Sequence, residues 1–173
     1  MARDADNVNI WRDAWIYVSV DATRPILPTD IDAAMPAGFL DVGLLNGDDG
    51  IAEERSNSET KAYGWGAGLI KKSFKDFEVG GTFSILEDNE VTRAIIFPGS
   101  TATKIVMPKP VYRWLAFETQ SDVEAAERQF TTKLAQLWVP NNNRNEADIT
   151  KWEVQYSLFA NGANELFDRQ VSA

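Results

Sequence analysis

The sequence predicts a mainly β fold, a β-sandwich or partial barrel with one short flanking α-helix. Three observations carry this. Short runs alternate apolar and polar side chains, most clearly in 151–160, where Trp152, Val154, Tyr156 and Leu158 fall on one face and Glu153, Gln155 and Ser157 on the other. Turn dipeptides such as Asn46-Gly47 and Asp49-Gly50, and prolines, separate about eight such runs. Only one stretch has helical spacing. With 173 residues, no internal repeat and no linker, residues 1–173 read as a single domain with enough chain for a real core.

In chain order, residues 1–14 lack periodicity and read as a flexible N-terminal arm. Asp4, Asp6 and Asn7 do not continue into an EF-hand loop, so a solvated terminus is expected there rather than a calcium site. The terminus MARDADNVN is polar, which argues against a signal peptide and for synthesis in a cytoplasm. Trp15–Val20 reads as the first strand. Pro25, Pro28 and Pro36 punctuate a connection, and Leu40–Leu45 is a short apolar segment. Residues 46–62 are the most polar part of the chain and read as a long loop, either free on the surface or ordered against a partner subunit. Tyr63–Gly68 is glycine-rich and aromatic but lacks the Lys-Ser/Thr ending of a phosphate loop. A hairpin through Lys75 is expected, with strands 69–74 and 76–85.

The helix follows at once. Asp88 or Asn89 can cap it, Glu90 suits the positive end of its dipole, and Val91, Ala94 and Ile95, with Ile96 a further candidate, follow at helical spacing. Phe97-Pro98-Gly99 ends it. Further strands are expected over 103–107, 111–119, 130–139 and 151–160. A turn or helical turn is expected over 122–128, a loop over 140–145, and a polar tail from Asn161.

Composition removes whole classes of chemistry. There is no cysteine and no histidine, which excludes thiolate catalysis, Cys/His zinc sites and histidine-based triads. No cofactor and no metal ligand set is expected. Seventeen basic against 26 acidic residues give a net charge of −9, the wrong sign for a tight electrostatic grip on nucleic acid. No run is apolar enough for a membrane span.

The stretch Ile85-Leu86-Glu87-Asp88-Asn89-Glu90-Val91, a strand running into a short helix, resembles the corresponding segment of major tail proteins, the tail-tube subunits of long-tailed, siphovirus-type bacteriophages. The order of parts is similar across most of the chain. Leu27-Pro28-Thr29 lies in the proline-rich connection, then come Asp41-Val42-Gly43, the Asp49-Gly50-Ile51 turn, the polar loop and a strand containing Trp65. The resemblance implies a structural virion protein with no enzymatic role. It implies homohexameric rings stacked into a hollow tube through which DNA passes unbound. It also implies a tape measure protein, a tail terminator and distal tail or baseplate proteins as partners. The place implied is the virion tail, assembled in the host cytoplasm.

Within that expectation, the loop residues Asp48, Asp49, Glu53, Glu54, Arg55, Glu59 and Lys61 would join ring to ring. The helix residues Val91, Ala94 and Ile95 would lie at the subunit seam. Asp76 and Glu78 would face an acidic lumen that repels phosphate. Two other readings compete. Six tryptophans suit a carbohydrate-binding module, though Trp114, Trp138 and Trp152 sit in apolar alternation and read as core, leaving Trp11, Trp15 and Trp65 undecided. Paired carboxylates (Glu53-Glu54, Glu87-Asp88, Glu124 and Glu127) would suit a glycosidase, but they are adjacent or helix-spaced and read as solvated faces.

Overall fold

A computed structural model describes residues 8, 10–123, 125–144 and 146–172. The candidate calcium ligands Asp4, Asp6 and Asn7, most of the proposed arm, and Glu124 lie outside the described residues. The chain forms two antiparallel five-stranded sheets packed face to face, with one helix. The strands are β1 (Trp11–Ser19), β2 (Phe39–Asp41), β3 (Ile51–Gly64), β4 (Gly68–Ile85), β5 (Val111–Arg113), β6 (Leu115–Ser121), β7 (Ala126–Thr131), β8 (Ala135–Trp138), β9 (Trp152–Leu158) and β10 (Phe167–Val171). The helix is α1 (Glu90–Ile96). One sheet runs β10-β7-β6-β1-β2, the other β3-β4-β9-β8-β5.

The core lies between the sheets. Ile16, Val18, Leu115 and Phe117 from the first sheet meet Phe83, Ile85, Leu137, Val154, Tyr156 and Leu158 from the second, all buried. The alternation read in 151–160 holds strictly in β9. A second cluster of Phe39, Ala116 and Phe130 sits on the outer face of the first sheet, roofed by Leu27, Met35 and Trp114. The proline-punctuated connection is therefore a cover. Arg128, buried in β7, fastens it: Nε donates to Glu118 at 2.8 Å and a terminal nitrogen donates to the Ala33 carbonyl at 3.1 Å. Gln170 adds a bond to the Pro28 carbonyl.

Several expectations are corrected. Residues 51–64 are not loop but the long strand β3, laddered to β4 from Ile51↔Phe83 to Gly64↔Gly68. Alternation marks a strand only when one face is buried, and here neither is. No hairpin turns at Lys75: β4 runs unbroken from Gly68, and the real turn is at 65–67. The first strand begins at Trp11, inside the span assigned to an arm. Residues 103–107 form no strand, only a bridge between Thr101 and Lys104. The expected turn over 122–128 gives way to β7 at Ala126. The polar tail holds β10, paired to β7.

Two expected long strands are each two shorter ones. The chain leaves the second sheet after β5 and joins the first at β6, with Trp114 at the crossing. Trp114 donates its backbone N–H to the Ser19 hydroxyl oxygen at 3.0 Å and its indole N–H to the Ala22 carbonyl. It returns between β7 and β8 over 132–134. A run apolar on both faces can lie in a single doubly covered strand or cross between two sheets, and periodicity does not separate these.

Candidate assembly interface

β9 pairs with β4 only from Val79 to Ile85. Beyond that point β4 has β3 alone as neighbour. Residues 68–78, at ~3.3 Å per residue, carry this two-stranded ribbon roughly 36 Å away from the sandwich. Residues 53–63 and 65–78 are all exposed. At the turn, Gly66 and Gly68 hold φ of +72° and +69°, which side chains with a Cβ rarely adopt. Between these glycines and the strands stand bare apolar side chains. Trp65 is fully exposed, and Tyr63, Leu69 and Ile70 are exposed beside it. Phe74 and Phe77 are exposed along the shaft. An isolated two-stranded ribbon is marginally stable in water, so this one asks for a surface to lie on.

The ribbon also leaves strand edges open. β2 and β5 are three residues each, short enough to discourage pairing. β3 is 14 residues long, lies at a sheet edge and contains no proline. Its protection is charge alone.

The residues proposed for ring stacking are spread along this element. Asp48 and Asp49 sit in the turn before β3. Asp49 is tied back to the body by Lys151 at 2.7 Å, and that hydrogen bond holds its carboxyl below the usual range. Glu53 and Arg55 pair at 2.6 Å at the ribbon's root. Glu59 lies mid-shaft between Lys72 at 2.8 Å and Lys61 at 2.9 Å, and the Lys72 bond, then the Lys61 bond, lowers its pKa. Sequence reasoning missed the tip itself. Three glycines, Gly64, Gly66 and Gly68, between two polar runs of similar length were the available signal.

Glu78 pairs with Ser56, and strand alternation puts both on the outer face of the second sheet with Glu54 and Thr82. Glu54, Glu78, Glu153 and Gln155 line one shallow groove there. Asp76 does not continue the row. It has φ of +53°, at a bulge where Ser56 and Ser58 oppose Glu78 and Lys75. Beyond the bulge Lys71 and Lys75 share the Glu54 side, while Lys72 shares the opposite side with Glu59 and Lys61.

The helix is capped as the sequence indicates: the Asn89 side chain accepts the Thr92 N–H at 2.9 Å. Asn89 Nδ2 and the Thr92 hydroxyl both donate to the Val42 carbonyl, fixing α1 to the chain after β2. Its buried side is Thr92, Ile95 and Ile96. Ile95 therefore packs on the subunit's own core, Val91 is half-buried, and Ala94 is exposed. Val91, Ala94 and Ile95 do not form one bare face. A shallow groove of about 200 Å³ beside the helix is rimmed by Val20, Leu40, Val91 and Val111.

A larger cleft of about 650 Å³ opens between the sheets at the root of the ribbon. Trp11, Leu44, Leu45, Ile51, Phe117 and Phe167 give it apolar walls, and Asp13, Glu53 and Glu127 stand among them with Arg12. Tyr156 crosses its floor to donate its hydroxyl to the Ala52 carbonyl at 2.8 Å. Burial, with Glu53 and Glu54 nearby, pushes the Tyr156 pKa up to about 12. A raised folded-state pKa contributes stability below the unfolded value of about 10 that is lost as pH rises through the folded value. Stability is expected to fall between about pH 10 and pH 12, and Tyr156→Phe should flatten that fall in denaturant titrations at each pH.

No group of three or more His, Cys, Asp or Glu that could hold a metal occurs among the described residues. No helix of the described residues is long and apolar enough to cross a membrane. Of the tryptophans, Trp152 is buried, Trp114, Trp138 and Trp15 are half-buried, and Trp11 and Trp65 are exposed.

No family model matches the chain, and no curated relative matches it. Solved structures similar in outline include two chains of tube assemblies. One is a chain of the sheath–tube complex, in the extended state, of an extracellular contractile injection system, PVC. It has 11% identity over 92% of this chain and 88% of that one, with a TM-score of 0.36. The other is the cap that terminates the tube of the anti-feeding prophage, at 10% identity over 99% of this chain and 100% of that one, with a TM-score of 0.35. Likenesses this low carry no inference about what this chain does.

Proposed function

We propose that this protein is a structural subunit that assembles with copies of itself into stacked rings forming a hollow tube, the tail tube of a bacteriophage, and that it is not an enzyme. The observation that carries the reading is the β3–β4 ribbon: a long, fully exposed arm with bare apolar side chains at its tip and an open edge along its length. A subunit built to stay alone would shorten or cover that edge. Closing a sheet across subunits satisfies it instead.

In this reading, four strands from each of six subunits at ~4.8 Å spacing give a circumference near ~115 Å and a diameter of roughly 37 Å before strand tilt widens it. That admits a DNA duplex on its way to a host. The outer face of the second sheet would line the lumen, where Glu54, Glu78 and Glu153 repel phosphate. A siphovirus-type tail, six-fold rings, contacts with a tape measure protein, a terminator and baseplate proteins, and a place in the virion after assembly in the host cytoplasm all belong to this proposal.

Electron microscopy of the concentrated protein tests it. Rings or tubes are expected, and monodisperse monomers would sink the reading in favour of a binding module. A shortened arm makes the test specific. Ser58 and Lys75 are cross-strand partners, so a two-residue Asn-Gly turn can join them in place of 59–74. That variant should fold, with a far-ultraviolet spectrum and melting curve like the parent's, and form no tubes.

A further inference from the structure

We infer that the tip of the β3–β4 arm docks into the inter-sheet cleft of a second copy of this chain, with Trp65 as the inserted anchor. The inference rests on the assembly reading and deepens it by naming both sides of the contact. Three features fit them to each other. The first is chemical: the tip offers Tyr63, Trp65, Leu69 and Ile70 bare, and the cleft offers apolar walls including Leu44, Phe117 and Phe167. The second is size. At about 650 Å³ the cleft falls in the range of pockets that enclose drug-sized molecules, ample for an indole and a neighbouring side chain.

The third is charge. Residues 58–75 hold four lysines and one glutamate, a net charge of +3 on a chain of −9, so the remainder carries −12. A basic arm and an acidic body attract each other between copies. The cleft mouth carries Asp13 against Arg12, with Glu53 paired to Arg55 and Glu127 to Arg169, so the attraction comes mainly from the acidic body as a whole. The tip cannot fill its own cleft. Ile51 and Glu53, at the arm's root, form part of the cleft rim, and the arm leads roughly 36 Å away from there.

The chain has no cysteine, which permits a direct test. Ala67→Cys, in the turn beside Trp65, and Leu44→Cys are prepared separately, mixed, concentrated and oxidised. Both positions are exposed, and neither change touches the core. A disulfide-linked pair containing one of each is expected. It should be lost on adding Trp65→Ala to the arm, and weakened at high salt and on adding Lys71→Glu and Lys72→Glu. Val20→Cys, on the groove beside α1, serves as the comparison and should not pair with Ala67→Cys. Pairing of Ala67→Cys only with itself or with Val20→Cys would overturn the inference. So would tubes that form without the Ala67–Leu44 link, which would leave the assembly reading standing. Monomers at all concentrations, with no link, would overturn both. Retention of a DNA duplex by the parent protein, lost with the two lysine reversals, would make the arm a nucleic-acid ribbon and also overturn it.

Discussion

Gly81→Ala is expected to unfold the subunit or leave it a small fraction of its stability. A methyl carbon at this position would lie 1.8 Å from the Ala52 carbonyl oxygen of β3 and 2.6 Å from the Tyr156 hydroxyl. Neither neighbour can move freely. The carbonyl belongs to the β3–β4 ladder and accepts the Tyr156 hydroxyl, so relief on one side breaks the bond on the other. Overpacking together with a lost buried hydrogen bond should cost more than about 3 kcal/mol. Denaturant unfolding measures it, with Gly47→Ala as the control, since a methyl there meets nothing within 4 Å. A Gly81→Ala protein within about 1 kcal/mol of the parent would show that β3 and β4 are not packed this closely where the arm leaves the body.

The second large effect is expected at Arg128. Its side chain is 5% exposed and its partner Glu118 18% exposed, so the pair is largely out of water. Removing the arginine alone leaves a carboxylate without its cation and two segments unfastened, the β6–β7 ladder face and the proline-rich cover. Arg128→Ala should cost about 3–5 kcal/mol. Replacing both partners by apolar residues of similar volume should recover most of that loss, because the uncompensated charge goes with the pair. Equal losses in the single and double variants would show that the contacts to the Ala33 carbonyl, not the ion pair, carry the effect.

Much of the body was legible because burial writes a period into sequence. β9 alternates strictly, and the core residues of β9 were readable one by one. The helix was readable from Asn89, Glu90 and the Phe97-Pro98-Gly99 exit, although Thr92 joins Ile95 and Ile96 on its buried side, while Ala94 is exposed. Thr92 was hidden because its polarity is satisfied by a backbone carbonyl 50 residues earlier. The arm was illegible for the opposite reason. A strand exposed on both faces has no reason to alternate, so Glu53 to Lys61 looked like loop. The sheet crossings at Trp114 and 132–134 were hidden because a residue's partner across a sheet leaves no local mark.

Among the described residues the ribbon emerges from one end of the sandwich, and nothing at the other end mirrors it. A subunit of this shape has a giving side and a receiving side. Where each arm enters the cleft of the next copy, rather than two copies exchanging arms across a two-fold axis, each copy passes the unmet surface along. Assemblies made this way carry a direction, like a one-way street, and their two termini are chemically different. One displays arms with nothing to hold, the other clefts with nothing in them. Unless the rotation closes such a series into a ring, growth through this contact would contain no instruction to stop, and a definite length would have to be set by something other than this chain.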